Sequence, residues 1–208
     1  MENKPVKSLS KTSVSKPRSR AASPRTQLDP ERWVEQAIDV LAQEGLTGLR
    51  VEVLAKRCGV TKGSFYWHFK DRQALLDAVL AHWKAGRIRD IEKTTAVTPG
   101  NERDQLHYAI EVYGASRNRK GMAIELAVRD WARHDPQAAA VVEEVDLYRL
   151  ECTRKLFVAS GMSDAEAKSR SLLLYACVFG LSMMHYTHFD NNLPDLKQRI
   201  AERIVSGD

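Results

Sequence analysis

Residues 50–72, RVEVLAKRCGVTKGSFYWHFKDR, carry the pattern that most restricts what this chain folds into. The first half places apolar side chains on one face at helical spacing, namely Val51, Leu54, Ala55 and Cys58. Gly59 follows, where a helix end often needs a positive φ that glycine adopts without strain. We expect a second helix to begin at Thr61, capped by its hydroxyl. The stretch therefore predicts two short helices joined by a tight turn.

The second helix of this pair has two unlike faces. Phe65 and Phe69 point together toward the core, whereas Tyr66 and Trp67 stay outside with lysines beside them. Exposed aromatics next to basic groups are typical of a binding surface, and a short helix with a polar start fits the major groove of DNA. We predict that Lys62 and Ser64 contact base edges and that Gly63 keeps the backbone close to the bases. The predicted phosphate and sugar contacts are Tyr66, Trp67, His68, Lys70 and Arg72. The alternative is a plain helical hairpin packed against a neighbouring domain.

The segment LAKRCGVTKGSFYWHFKDRQALLDAVLAHW resembles the DNA-binding domain of the TetR family of bacterial transcription regulators, over residues 31–83. This resemblance implies an all-α protein of about nine helices. Three N-terminal helices would carry the helix-turn-helix, a fourth would connect, and a C-terminal helical domain would bind ligand and dimerise. Many relatives start the first helix of the motif with a capping Thr that touches phosphate. Here Arg50 stands at that point, and we predict that it supplies the phosphate contact instead.

The net charge of +5 lies entirely in residues 1–30, because the remainder of the chain is balanced. Residues 1–28 are rich in Ser, Pro, Lys and Arg, and this composition predicts a disordered basic arm. The arm either remains unbound or follows DNA phosphates and the minor groove. An organellar transit peptide is a further alternative, which the missing amphipathic pattern disfavours. We expect residues 29–75 to form the DNA-binding domain and residues 76–208 an effector-binding and dimerisation domain.

The C-terminal half keeps a helical pattern throughout. Residues 171–184, SLLLYACVFGLSMM, contain no charge and are too short to span a bilayer, which takes about 18 to 20 residues. A helix that is apolar all round is central or shared with another subunit, and Ala176 and Gly180 would admit a close neighbour. We therefore predict a homodimer through helices around 164–189 and 195–206, with a monomer core as the alternative. The two DNA-binding domains of such a dimer would bind a palindromic operator in double-stranded DNA.

The predicted ligand for the C-terminal domain is a small-molecule effector of unknown identity. Candidate pocket residues are aromatic or polar side chains on the helices of this half, namely Trp83, His107, Tyr113, Trp131 and Tyr148. Side chains of this kind more often occupy ordinary core positions, which is the alternative for each of them. Arg129 and Asp130 either pair with each other or bind a charged ligand.

Other chemistry is weakly indicated. His185, His188 and Asp190, or Asp104 with His107, could belong to a helical-bundle metalloprotein, although the carboxylate pattern of a di-metal bundle is missing. Three cysteines on apolar faces suggest reduced thiols, with a thiol sensor as an alternative. No catalytic or phosphate-loop motif is found, so we expect no enzyme activity, no cofactor and no metal. The expected function is a cytoplasmic, sequence-specific transcription regulator without membrane contact. We expect a homodimeric repressor that a small-molecule effector releases from its operator, with an activator or a ligand-independent regulator as alternatives.

Overall fold

The computed structural model describes residues 28–96, 99–114 and 119–206, and this part of the chain is all-α, as predicted. Nine α-helices and one 3₁₀ turn follow one another there, without a strand. Their bounds are α1 Pro30–Glu44, the 3₁₀ turn Leu46–Gly48, α2 Val51–Arg57, α3 Lys62–Phe65, α4 Arg72–Thr95, α5 Glu102–Gly114, α6 Arg119–Ala132, α7 Pro136–Ala159, α8 Asp164–Met183 and α9 Leu193–Ser206. The arm predicted for residues 1–28 lies outside the described residues except for Leu28, which packs against the core.

Four helices begin at side-chain caps that the sequence predicts. Each cap accepts a hydrogen bond from a backbone N–H three residues on, and so satisfies a donor that the helix itself leaves unpaired. The caps are Asp29 of α1, Asp71 of α4, Asp135 of α7 and Ser163 of α8. The bond from Ala138 N–H also holds the pKa of Asp135 below its ordinary value.

Two apolar clusters hold the helices together. The first runs without a break from α1–α4 into α6 and α7, and the second joins α5, α7, α8 and α9. Trp33, Trp83 and Trp131 all lie in the first cluster. Because α4 and α6 both contribute to it, the N-terminal helices pack directly against the C-terminal half.

Helix α8 ends earlier than the sequence suggests. Met183 is its last residue, and Met184 is extended with φ −86° and ψ 147°, so residues 184–189 do not continue the helix. One face of α8 is exposed, comprising Leu172, Leu173, Ala176, Gly180 and Met183. Across the described ranges, none of the helices combines the length and apolarity needed to cross a bilayer.

Candidate nucleic-acid interface and ligand cavity

The turn between α2 and α3 is built on Gly59, as the sequence predicts. Its φ is 68°, in the left-handed region that glycine tolerates. The Gly59 N–H donates to the Lys56 carbonyl at 3.2 Å, and the Val60 N–H donates to the Ala55 carbonyl at 3.0 Å. These bonds satisfy carbonyls at the end of α2 and turn the chain sharply.

Helix α3 is only four residues long, and its predicted cap is wrong. The Thr61 hydroxyl makes no capping bond, and the turn is closed instead by the Ser64 N–H donating to the Thr61 carbonyl at 3.0 Å. Beyond Phe65 the chain continues as a turn to His68. The recognition segment, residues 61–70, is thus a single helical turn followed by non-helical backbone.

Aromatic packing holds the recognition segment in place. Phe65 and Phe69 are buried, as predicted, and their rings stack with centroids 5.3 Å apart. The Trp33 ring of α1 meets Phe65 edge-on at 5.4 Å. Pairs of this kind stabilise by about 0.5–1.5 kcal/mol beyond the area they bury. These contacts fix the segment on α1 rather than through its own short helix.

The outer side of the recognition segment presents aromatic and basic groups. Trp67 is 80% exposed and Tyr66 is 53% exposed, and Lys70 also points to solvent. Lys62 forms an ion pair with Glu52 of α2, which raises the pKa of Lys62 and lowers that of Glu52. Gly63 is exposed, and a Cβ added there would meet only the Thr61 hydroxyl, at 3.8 Å. The fold itself therefore does not require a glycine at position 63.

Three further predicted contacts lie in different settings. Arg50 is exposed at the start of α2 and makes no side-chain capping bond there. The Arg72 guanidinium donates from Nε to the Leu49 carbonyl at 2.5 Å and from Nη2 to the Leu46 carbonyl at 3.2 Å. The Nε2 atom of His68 is buried and has no hydrogen-bond partner among the described residues. Arg72 thus braces the backbone before α2, and His68 does not turn this nitrogen toward solvent.

A cavity of about 610 Å³ lies between the C-terminal helices. Its walls come from α4, α5, α6, α7, α8, α9 and the segment after α8. Buried Tyr175 and Val178 lie in the wall, with Phe179, Met122 and Leu126. This volume lies within the range of about 300–1,000 Å³ found for small-molecule sites.

A buried ion network forms part of the cavity wall. Glu125 Oε1 accepts from Arg129 Nη2 at 2.8 Å and from Arg149 Nη1 at 3.2 Å. Asp146 accepts from Arg129 at 2.6 and 2.8 Å. Arg129 therefore pairs with carboxylates on α6 and α7, and not with Asp130, which is exposed. Side chains of adjacent residues on a helix point about 100° apart, so the carboxylate of α6 that Arg129 reaches is Glu125, four residues away, and not Asp130.

Four of the five predicted pocket residues lie outside the cavity lining. Trp83 and Trp131 are buried in the first apolar cluster, because α1, α4, α6 and α7 close around them. Tyr148 donates from its hydroxyl to Glu92 at 3.0 Å on the outside of α7. His107 is half-buried on α5 and is not among the residues that line the cavity. The side chain of Tyr113 lies outside the described part of the chain.

Metal and thiol chemistry find little support in this structure. Within the ranges described, no group of three His, Cys, Asp or Glu side chains is placed to hold a metal ion. Cys58, Cys152 and Cys177 are free thiols and half-buried. Burial raises the pKa of Cys58 and of Cys177, whereas reactive thiols have a lowered pKa.

Comparison with known proteins places the helix-turn-helix in a family. Residues 34–79 match the family described as bacterial regulatory proteins, tetR family. The tetracycline repressor protein class A from transposon 1721 of Escherichia coli is 43% identical over 54 residues, which are 26% of this chain and 25% of that protein. The regulator SrpR of Pseudomonas putida is 35% identical over 51 residues, 24% of each chain. The chain thus matches about a quarter of the length of these relatives.

Solved structures extend the similarity to the whole fold. A transcriptional regulator from Rhodococcus sp. Rha1 superposes with a TM-score of 0.70 at 20% identity, covering 86% of this chain and 95% of that one. A protein from Saccharomonospora viridis, solved in complex with choline, superposes with a TM-score of 0.71 at 15% identity, over 86% and 96% of the two chains. At these identities the likeness concerns the fold alone. Over its helix-turn-helix domain, residues 34–79, this chain is thus similar to the TetR family of bacterial regulatory proteins.

Proposed function

We propose that this chain is a sequence-specific, DNA-binding transcription regulator of the cytoplasm. It acts as a homodimeric repressor that leaves a palindromic operator when a small molecule binds. The observation that carries the proposal is the recognition segment, whose exposed Tyr66 and Trp67 stand among basic groups on a helix-turn-helix. Residues 29–75 are the DNA-binding domain, and residues 76–208 bind the effector and the second subunit.

Gly63 offers a test that separates folding from DNA contact. Gly63→Ala adds a methyl group where the structure has room, and alanine favours helix, so the variant is expected to fold at least as stably. If the backbone at Gly63 approaches the bases closely, the variant loses about 1–3 kcal/mol of affinity for its specific site. Gly86→Ala in α4, which also has room for a Cβ, is the matched control and retains full affinity.

The site for these measurements is selected from random double-stranded DNA by the purified chain, and affinity is measured by fluorescence anisotropy. Equal affinities of wild type and Gly63→Ala would contradict a close approach at this position. Failure to select any sequence would contradict the proposed function as a whole. A reporter gene behind the selected site then distinguishes repression from activation.

The ion pair between Lys62 and Glu52 bears on base recognition. Lys62 must leave Glu52 to reach a base, so Lys62→Ala loses about 1–3 kcal/mol on the specific site and relaxes the preference there. Glu52→Gln removes the competing carboxylate and is expected to raise affinity for specific and random DNA. If Lys62→Ala loses the same affinity for specific and for random DNA, Lys62 contacts a phosphate and not a base.

The exposed face of α8 supports dimerisation. It places Leu172, Leu173 and Met183 in water around the small residues Ala176 and Gly180, which would allow two helices to approach closely. Leu172→Glu is therefore expected to give a monomer that keeps its helical content and loses operator binding. Leu147→Glu on α7 is the control, since Leu147 is 61% exposed and Leu172 is 62% exposed. Sedimentation velocity reads the mass, and an unchanged dimer for Leu172→Glu would exclude this face.

Helix α4 supports coupling between effector and DNA. It begins at the Asp71 cap beside the recognition segment and ends in the cavity wall, where it contributes Arg87, Asp90, Lys93 and Thr94. Its 24 residues span about 36 Å. A ligand that displaces the end of α4 at the cavity would shift the DNA-binding domains of the dimer. The distance between the two recognition segments would then change. X-ray scattering profiles measure the distance between the two DNA-binding domains. An identical distance with and without a ligand that releases DNA would contradict this mechanism.

A further inference from the structure

Three of the four aromatic side chains that line the cavity in the described residues lie near cations of the protein itself. The pairs, measured from the cationic atom to the ring centroid, are Arg129 with Phe179 at 4.2 Å, Arg149 with Tyr175 at 5.3 Å and Lys197 with Tyr186 at 5.7 Å. A ligand cation gains from an aromatic ring by lying over its face. Here cations of the protein already lie near those faces, so a quaternary ammonium ligand would meet like charge as well as aromatic surface.

The charges that line the cavity favour an anion. Four basic and two acidic side chains lie in the described wall, which gives an excess of two positive charges. They are Arg87, Lys93, Arg149 and Lys197 on the basic side and Asp90 and Glu125 on the acidic side. The Glu125 carboxylate is shared between two guanidinium groups, so it does not offer an uncompensated negative charge.

These charges are distributed unevenly in depth. Lys93 is exposed, and Lys197 and Arg87 are partly exposed, whereas Tyr175 and Val178 are buried. At the opening, Arg87 is paired with the exposed Asp90 at 2.7 Å, and Lys93 and Lys197 provide the net positive charge. The interior presents Tyr175 and Val178 beside the buried pair of Arg149 and Glu125. The Nε atom of Arg87 is in addition a buried donor without a hydrogen-bond partner among the described residues. An acceptor group of a bound molecule would supply the bond that this donor lacks.

We propose that the cavity binds an amphipathic carboxylate, with its apolar body against Tyr175 and Val178 and its carboxylate at the basic opening formed by Arg87, Lys93 and Lys197. This inference rests on the proposed function only in treating the cavity as the effector site. The choline-bound neighbour shares the fold, but the cations beside the aromatic rings of this chain select the opposite charge.

The test uses two probes with the same alkyl chain and opposite charge. Decanoate and decyltrimethylammonium are titrated into the full-length protein by isothermal calorimetry, below their micelle concentrations, with choline as a small cation. Decanoate is expected to bind at least about tenfold more tightly than decyltrimethylammonium, a difference of about 1.4 kcal/mol. Tighter binding of decyltrimethylammonium or choline, or no binding of decanoate, would overturn the proposal.

Charge variants place the carboxylate in the cavity. Lys93→Gln and Lys197→Gln are each expected to lower the affinity for decanoate about two- to fivefold, the effect of losing a solvent-accessible ion pair. Lys155→Gln on α7 is the matched control, because Lys155 is an exposed lysine that pairs with Glu151 away from the cavity. Equal affinities for all three variants and the wild type would overturn the proposed position of the carboxylate.

Calorimetry and DNA binding separate this inference from the proposed function. Decanoate binding that depends on Lys93 and Lys197 supports the ligand class even if the selected DNA is not released, in which case the effector mechanism fails alone. Conversely, a chain that binds its operator and prefers the cationic probe retains the DNA-binding function and overturns the ligand class.

Discussion

Removing the charge of Glu125 tests how the buried ion network holds α6 and α7 together. The Glu125 side chain is 4% exposed, and its Oε1 atom accepts from both Arg129 and Arg149. In Glu125→Gln, two guanidinium groups face the single carboxylate of Asp146. Breaking a buried ion pair by removing one partner costs about 3–5 kcal/mol. We expect about 3 kcal/mol, because Asp146 still pairs with Arg129 and glutamine retains an acceptor.

A second variant restores the charge balance. Adding Arg149→Met to Glu125→Gln removes the surplus cation and leaves Arg129 bound to Asp146 through two bonds. The double variant is therefore expected to be more stable than the sum of the single changes predicts, by at least about 1 kcal/mol. Urea unfolding measures all four proteins at one fixed protein concentration, because the proposed dimerisation would make the free energy of unfolding depend on concentration. A loss below about 0.5 kcal/mol for Glu125→Gln, or strict additivity, would refute this account of the network.

Four further outcomes are expected. Arg72→Ala lowers the stability of the N-terminal helices by about 1–3 kcal/mol, because Arg72 donates to the Leu49 carbonyl, whereas Lys70→Ala leaves thermal unfolding unchanged and lowers the salt slope of DNA binding by about one unit. Asp71→Ala lowers the free energy of unfolding in urea by about 1 kcal/mol, because α4 loses its cap. An unchanged free energy of unfolding would show that this cap does not stabilise the fold. The hydrogen bond to Glu92 raises the pKa of Tyr148 to about 12, so the folded state holds this proton, and the stabilisation is present below pH of about 10 and lost as pH rises through 12. Absorbance at the phenolate band shows one late-titrating tyrosine, which Tyr148→Phe removes.

Local signals predicted the helix starts and the turn well. Asp29, Asp71 and Asp135 each cap the helix that the sequence assigned to them, and Gly59 has the positive φ expected of it. Caps and tight turns depend on residues within a few positions, so the sequence alone determines them. The Thr61 cap failed because a backbone bond from Ser64 closes that turn.

The cavity could not be predicted from residues that are close together in the sequence. Its wall is assembled from six helices, and two of the aromatic residues predicted to line it, Trp83 and Trp131, are buried in the core instead. One signal was available, because Glu125 and Arg129 are four residues apart and such pairs meet on a helix. That spacing indicates the ion network, although nothing in the sequence indicates that Asp146 and Arg149 complete it.

The four-residue length of α3 has a consequence for how binding preference changes over generations. Phe65 and Phe69 fix the recognition segment from beneath, so folding does not depend on the identity of the side chains that face outward. If the recognition segment reads bases as proposed, substitutions at Lys62 or Gly63 would alter the preferred DNA sequence at little cost in stability. A duplicated copy of such a gene would then be free to acquire a new set of target promoters while its scaffold stayed the same.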